Sequence, residues 1–95
     1  MKIEIRYFNS LHEITGTMVE TVELEENATL QAALEVLIFR YGKEFQDHVY
    51  AGLDGRPGVR LCFLVNGQNT DLLKGLQTPL SPNAIVSIFP HIGGG

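Results

Sequence analysis

Between Thr29 and Gly42 the chain carries one uninterrupted amphipathic stretch, in which Leu30, Ala33, Leu34, Leu37, Ile38 and Tyr41 recur at helical spacing. Thr29 is suited to cap the first turn and Gly42 to close the last. Fully burying each large apolar side chain of that stripe contributes about 1.5–3 kcal/mol, on the order of 10 kcal/mol together before chain entropy is subtracted. Such a helix needs an apolar surface to lie on, and the remainder of a 95-residue chain has to supply it.

Strand signals flank the helix on both sides. Lys2 to Phe8 alternates with period two, setting Ile3, Ile5 and Tyr7 on one face and Lys2, Glu4, Arg6 and Phe8 on the other. Ser10-Leu11-His12-Glu13 has the form of a capping box, and Gly16 can end the short turn it starts. A second strand is predicted from about Thr17 to Leu24. Beyond the helix, residues 43–60 contain Gly52, Gly55, Pro57 and Gly58 and read as a short helical turn followed by a mobile loop. Leu61 to Asn66 is a strand ending in Asn66-Gly67, a pair that favours a tight hairpin, so Asn69 to Leu72 is predicted to return as a short strand. Pro79 and Pro82 punctuate a turn. Ala84 to Phe89 is almost continuously apolar, as in a central strand, and Pro90 is expected to stop the pairing because it has no N–H. One dominant helix among strands, in the order ββαββ and without internal repeat, predicts an α+β domain whose mixed sheet wraps the helix.

The 44% hydrophobic content suits a single core at this length, since such a chain buries roughly 60–70% of its unfolded surface. Residues 1–90 are expected to form the domain and residues 91–95 a flexible glycine tail. The net charge of −4 is unevenly placed: residues 1–35 hold seven acids and two bases, residues 36–95 four acids and five bases. That sign disfavours nucleic-acid backbones and suits a basic protein surface. A lone cysteine, Cys62, excludes a disulfide framework and multi-cysteine zinc spacings, which points to a reducing, cytoplasmic home. No apolar run approaches the ~20 residues that span a bilayer, and MKIEIRYF lacks the form of an export signal, so no membrane association is expected.

Four landmarks occur in order along nearly the whole chain: RYFNSLHEITG at 6–16, FRYG at 39–42, LVNG at 64–67, and TPLSPNAIVSIFPHIGGG from 78 to the end. In these the chain resembles MoaD, the small subunit of molybdopterin synthase, and more distantly ThiS of thiamine biosynthesis, both ubiquitin-like proteins of β-grasp fold. It departs from them in Pro82-Asn83, where the family has a Gly-Asp or similar pair, and in ending His91-Ile92-Gly93-Gly94-Gly95 after Pro90. Its segment 43–60 is longer than in the shortest ThiS-like carriers, which tilts the resemblance toward MoaD-like and archaeal modifier-like proteins.

The resemblance implies a sulfur carrier that is not itself an enzyme and binds no cofactor. An ATP-dependent adenylating partner of the MoeB/ThiF kind would activate Gly95, sulfur from a persulfide would displace AMP, and the resulting thiocarboxylate would donate its sulfur in molybdopterin synthesis with a large catalytic subunit of the MoaE kind. The alternatives are a modifier joined through Gly95 to lysines of target proteins, and a carrier for thiamine or another thiolated metabolite. The physical chemistry is consistent with this. A terminal carboxyl has a pKa near ~3.5 and is a poor electrophile at neutral pH until activated. Gly93 and Gly94, lacking Cβ, can thread a narrow partner channel. Six residues from Pro90 to Gly95 reach about 20 Å.

Phe8 and Phe89 both share a strand face with polar residues, which predicts an apolar patch on the outer side of the sheet, joined by Cys62 or Leu64. In the resemblance these positions face the catalytic partner. Cys62 reads as packing, because no cation or helix N-terminus in sequence activates a thiolate there. His12, His48 and His91 lack ligand spacing, so no metal is expected. Glu20, Glu23, Glu25 and Glu26 read as a solvated acidic edge, with steering toward a basic partner as the functional alternative.

Overall fold

The computed structural model describes residues 1–8, 11–53 and 60–91. Its elements are β1 (Lys2–Tyr7), α1 (Leu11–Thr15), β2 (Val19–Glu23), α2 (Leu30–Tyr41), α3 (Lys43–Leu53), β3 (Arg60–Val65), β4 (Gln68–Asn69), two 3₁₀ turns (Thr70–Leu72 and Gly75–Gln77) and β5 (Ile85–His91). The strands form one five-stranded sheet in the order β2-β1-β5-β3-β4. Its centre is the parallel pair β1 and β5, and the remaining pairs are antiparallel.

The caps of α2 follow from residue chemistry. The Thr29 hydroxyl accepts from the Ala32 N–H at 3.4 Å, and Gly42, at φ 85°, donates its N–H to the Ile38 carbonyl at 2.8 Å. Leu30, Ala33, Leu34 and Leu37 are buried, while Ile38 and Tyr41 pack at the margin of the core. They meet the inward residues of the central strands, Ile3, Ile5 and Tyr7 with Val86 and Ile88, flanked by Leu61, Phe63 and Val65. Asn66 and Gly67 both take positive φ, 52° and 83°, as a tight hairpin between β3 and β4 requires.

Three expectations are corrected. The segment after Gly42 is no short turn: α3 runs eleven residues, because Phe45 and Val49, one helical turn apart, are both buried and continue the core past α2. Residues 54–59 of the loop predicted within 43–60 lie outside the described residues, as does Ser10 of the capping box. The return strand after Asn66-Gly67 is only two residues long and gives way to a 3₁₀ turn, in which the Asn69 side chain accepts from the Asp71 N–H at 2.9 Å.

The third correction concerns Pro90, which does not stop the pairing: the ladder with β3 continues through Leu61↔Pro90 and Arg60↔His91. The Asn66 N–H to Ile85 carbonyl bond fixes the phase of this antiparallel ladder. Counting from it in twos, residue 90 is a non-hydrogen-bonded position whose nitrogen points away from β3. On that side the ladder with β1 closes with the Phe8 N–H to Ile88 carbonyl bond, and the Phe8 carbonyl that residue 90 would face accepts from the Leu11 N–H at 3.3 Å instead.

Candidate functional site

The outer face of the sheet follows from register. Arg6 lies beside Ser87 on β5 and Val19 on β2, and Ser87 in turn beside Leu64 on β3. One row further, Phe89 lies beside Cys62, and Phe8 follows β1 with its N–H donating to the Ile88 carbonyl at 3.0 Å. The Phe8 and Phe89 rings meet edge to face, with centroids 5.7 Å apart and planes at 88°. Phe8, Phe89, Cys62 and Leu64 are therefore brought together on one face. Phe8 is 43% exposed and the other three are half-buried.

Sequence reasoning missed two members of this surface. Met18 and Val19, 64% and 51% exposed, extend it across β2 and line a shallow depression with Glu4, Arg6 and Phe8. The pairing of β2 with β1 sets Val19 beside Arg6, and the Tyr7 N–H, donating to the Met18 carbonyl at 2.9 Å, holds Met18 next to it. An antiparallel register drawn between the two predicted strands would have been the signal. Glu4 and Arg6, ion-paired at 2.5 Å, supply the polar margin of the patch.

Cys62 behaves as packing. Burial, followed by the charge of Asp71, raises its thiol pKa above the ordinary value, the opposite of what a sulfur nucleophile needs.

Directly behind the patch lies a polar anchor. Glu20 was expected in a solvated acidic edge, but its side chain is only 13% exposed. Its carboxylate accepts from the Tyr7 hydroxyl at 2.6 Å and also from the Tyr41 hydroxyl and the Arg40 guanidinium. Burial by itself would raise the Glu20 carboxyl. The hydrogen bonds from Tyr41, Tyr7 and Arg40, with the Arg40 charge, outweigh it and hold the group below the usual carboxylate value. The network ties β1, β2 and the end of α2 together, so the strands that carry Phe8, Met18 and Val19 are held in fixed register. Glu23, Glu25 and Glu26 are exposed, as expected.

Gly93, Gly94 and Gly95 lie outside the described residues. Among the described residues no group of three His, Cys, Asp or Glu side chains could hold a metal ion, and no helix is long and apolar enough to cross a membrane.

The sequence matches the ThiS family over residues 5–95. Small archaeal modifier protein 3 of Haloferax volcanii is 29% identical over 97 residues, with the whole of both chains covered. The structure of a putative molybdopterin converting factor, subunit 1, from Pyrococcus furiosus superposes with a TM-score of 0.73 at 26% identity, over 94% of this chain and 95% of that one. The solution structure of small archaeal modifier protein 1 from Methanosarcina acetivorans gives a TM-score of 0.76 at 23% identity, over 99% and 96% of the two chains, and shows the same fold. The architecture is thus the ubiquitin-like β-grasp that the order of elements implied.

Proposed function

Because this chain belongs to the ThiS family of ubiquitin-like sulfur carriers and small modifiers, we propose that it is the sulfur-carrying small subunit of a molybdopterin synthase, with Gly95 as the atom-bearing end. The observation that carries this reading is the reach of the family match. It runs from β1 to Gly95 and so takes in the fold and the glycine tail as one unit. The similarity to the putative molybdopterin converting factor subunit, which covers 94% of this chain, supports the choice of acceptor.

In the proposed cycle a Gly95 carboxylate oxygen attacks the α-phosphorus of ATP on a MoeB-like adenylating enzyme, releasing pyrophosphate and leaving an acyl-adenylate. A persulfide sulfur attacks the acyl carbon and expels AMP. A second thiol then attacks the resulting acyl disulfide, forms a disulfide of its own and releases the thiocarboxylate. The protein contributes no acid, base or metal to these steps. Its part is to present the acyl carbon and to dock, and Gly93 and Gly94 allow close approach in the partner's channel because they lack Cβ. The surface built by Phe8 and Phe89 with Met18 and Val19 is the proposed seat of a MoaE-like catalytic subunit, since exposed aromatic and methionine side chains suit the core of an interface.

A second reading is favoured by the full-length similarity to small archaeal modifier protein 3. In it the activated Gly95 is captured by a lysine ε-amine of a target protein, forming an isopeptide bond. Intact mass spectrometry of the protein from its native host separates the two. A mass gain matching replacement of one oxygen by sulfur is expected for the carrier, and Gly95 joined to lysine in tryptic peptides for the modifier. Deleting Gly94 and Gly95 is expected to abolish both; sulfur transfer that survives the deletion refutes the assignment of Gly95.

A further inference from the structure

The docking face and the tail leave one built surface unused, on the other side of β2. This strand closes the sheet, with β1 on one side and no strand on the other among the described residues. The Tyr7 N–H donates to the Met18 carbonyl and the Leu24 N–H to the Met1 carbonyl, each at 2.9 Å. By alternation Glu20 and Val22 also face β1, and the backbone N–H and C=O groups of Thr21 and Glu23 point away from the sheet. The Thr17 hydroxyl covers the edge at Val19, donating to its carbonyl at 2.8 Å, so the open stretch begins at Thr21.

Beside this edge runs a groove of about 660 Å³ between β2 and α2. Leu24, Ala32, Val36 and Phe39 give it an apolar wall. Phe39 is 93% exposed, so its ring contributes almost nothing to the core. The rim is acidic: Glu23, Glu25, Glu26 and Glu35 line it, and no Lys or Arg does. Glu23 lies 3.8 Å from the Met1 ammonium, and Glu35 meets the Gln31 amide at 3.4 Å. Arg40, on the same helix, is committed to Glu20. Glu25 and Glu26 form no ion pair within the described residues.

We propose that this groove is a docking site for an extended, basic segment of a partner protein, which adds to the free edge of β2 as a further strand. Thr21 and Glu23 offer it a ladder, Phe39 and Val36 take its apolar side chains, and the four glutamates select lysine or arginine at its flanks. The same charges argue against a second copy of this chain at the edge, since two acidic rims would be set together. An occupant here leaves Phe8 and Phe89 uncovered, so a partner on the groove and a partner on the sheet face can be held at once.

The test uses the full-length, ¹⁵N-labelled protein and the synthetic nonapeptide KKVTVTVKK, with EEVTVTVEE as its charge-reversed counterpart. Saturable shifts are expected at amides of 21–25 and 32–39, with Phe8 and Phe89 unmoved, and none with the acidic peptide. Phe39→Ala is expected to weaken binding about tenfold, within the range of an interface anchor. Glu25→Lys with Glu26→Lys is expected to weaken it similarly and to abolish the preference between the two peptides. Thr21→Pro, which removes an outward N–H and no bond to β1, is expected to abolish binding. Phe39→Ala alters only an exposed ring and keeps the test decisive if the proline variant does not fold. The proposal is overturned by absence of saturable shifts, by shifts centred on Phe8 and Phe89, by equal binding of both peptides, by indifference to Phe39→Ala, or by dimerisation through β2 in place of peptide binding.

Discussion

Tyr7 and Phe8 are neighbours in sequence and opposites in structure. Tyr7 is 1% exposed, stacks edge-on with Tyr41 and Phe45 at centroid distances of 6.2 and 6.3 Å, and gives its hydroxyl to Glu20. Phe8 turns outward, is 43% exposed and meets the Phe89 ring edge to face. The inner ring is explained in full by the fold, since each of its contacts joins β1 to α2, α3 or β2. The outer pair is not, because a polar residue in either place would keep the strand pairing. An aromatic that the fold does not need is the better guide to a partner, and the comparison makes that a measurable difference between stability and binding.

The largest effect is expected on the inner side. Tyr7→Ala removes a fully buried ring and leaves Glu20 one donor short, so a loss of about 3–5 kcal/mol is expected in chemical denaturation. A loss below about 1 kcal/mol would mean that the inner ring is as dispensable as the outer one and would dissolve the contrast. On the outer side, replacing Phe8 and Phe89 together by Ala is expected to cost about 0.5–1.5 kcal/mol of stability, the worth of an edge-to-face pair. The same double variant is expected to weaken binding of the catalytic partner by about 2 kcal/mol or more, measured by calorimetry. If binding is unchanged, the sheet face is not the docking surface.

How much of this was legible in the sequence depends on how local each cause is. The caps of α2, the Asn66-Gly67 hairpin and the outward placement of Phe8 and Phe89 rest on residues within a few positions of one another, and propensity and alternation reveal them. The patch residues Met18 and Val19 were not legible, because Val19 is set beside Arg6 by the β1–β2 register and Met18, just before it, is held by the Tyr7 N–H on its carbonyl, and nothing in Thr17-Met18-Val19 announces either. Pro90 was misjudged for a related reason. Whether a proline ends a strand depends on which neighbour its nitrogen would have faced, and here that neighbour, the Phe8 carbonyl, already accepts from the Leu11 N–H. Glu20 was the deepest miss: among Glu23, Glu25 and Glu26 it looks like one more surface acid. Only the fold brings Tyr7, Arg40 and Tyr41, from 13 to 21 residues away, onto its carboxylate.

Glu20 therefore sharpens the comparison at smaller amplitude. Glu20→Gln keeps the shape but removes the charge that three donors converge on, and about 1–3 kcal/mol of stability should be lost at neutral pH. The folded protein holds this carboxyl below its ordinary value of 4.5, so its contribution is present above that pH and is lost as pH falls through the lower folded value. The gap between wild type and Glu20→Gln should accordingly be widest near neutrality and narrow in acid, as followed by urea midpoints across a pH series. A gap that widened in acid would mean that the group is not held as the carboxylate.

Tyr7→Phe asks the finest question, because it deletes only the hydroxyl. The ring stays in the core with Tyr41 and Phe45, and Glu20 keeps two of its three donors. A loss of about 0.5–1.5 kcal/mol is expected, the net worth of one such hydrogen bond. With one lowering influence gone, the Glu20 carboxyl should titrate at higher pH in the variant, which carboxyl-detected NMR can follow residue by residue. The amides of Phe8, Met18 and Val19 are then the reporters of what the inner network does for the outer face. If they shift or broaden in Tyr7→Phe while the core amides of β5 do not, the Tyr7–Glu20 bond positions the docking surface. If they stay in place, packing alone holds that surface, and the buried polar group serves stability only.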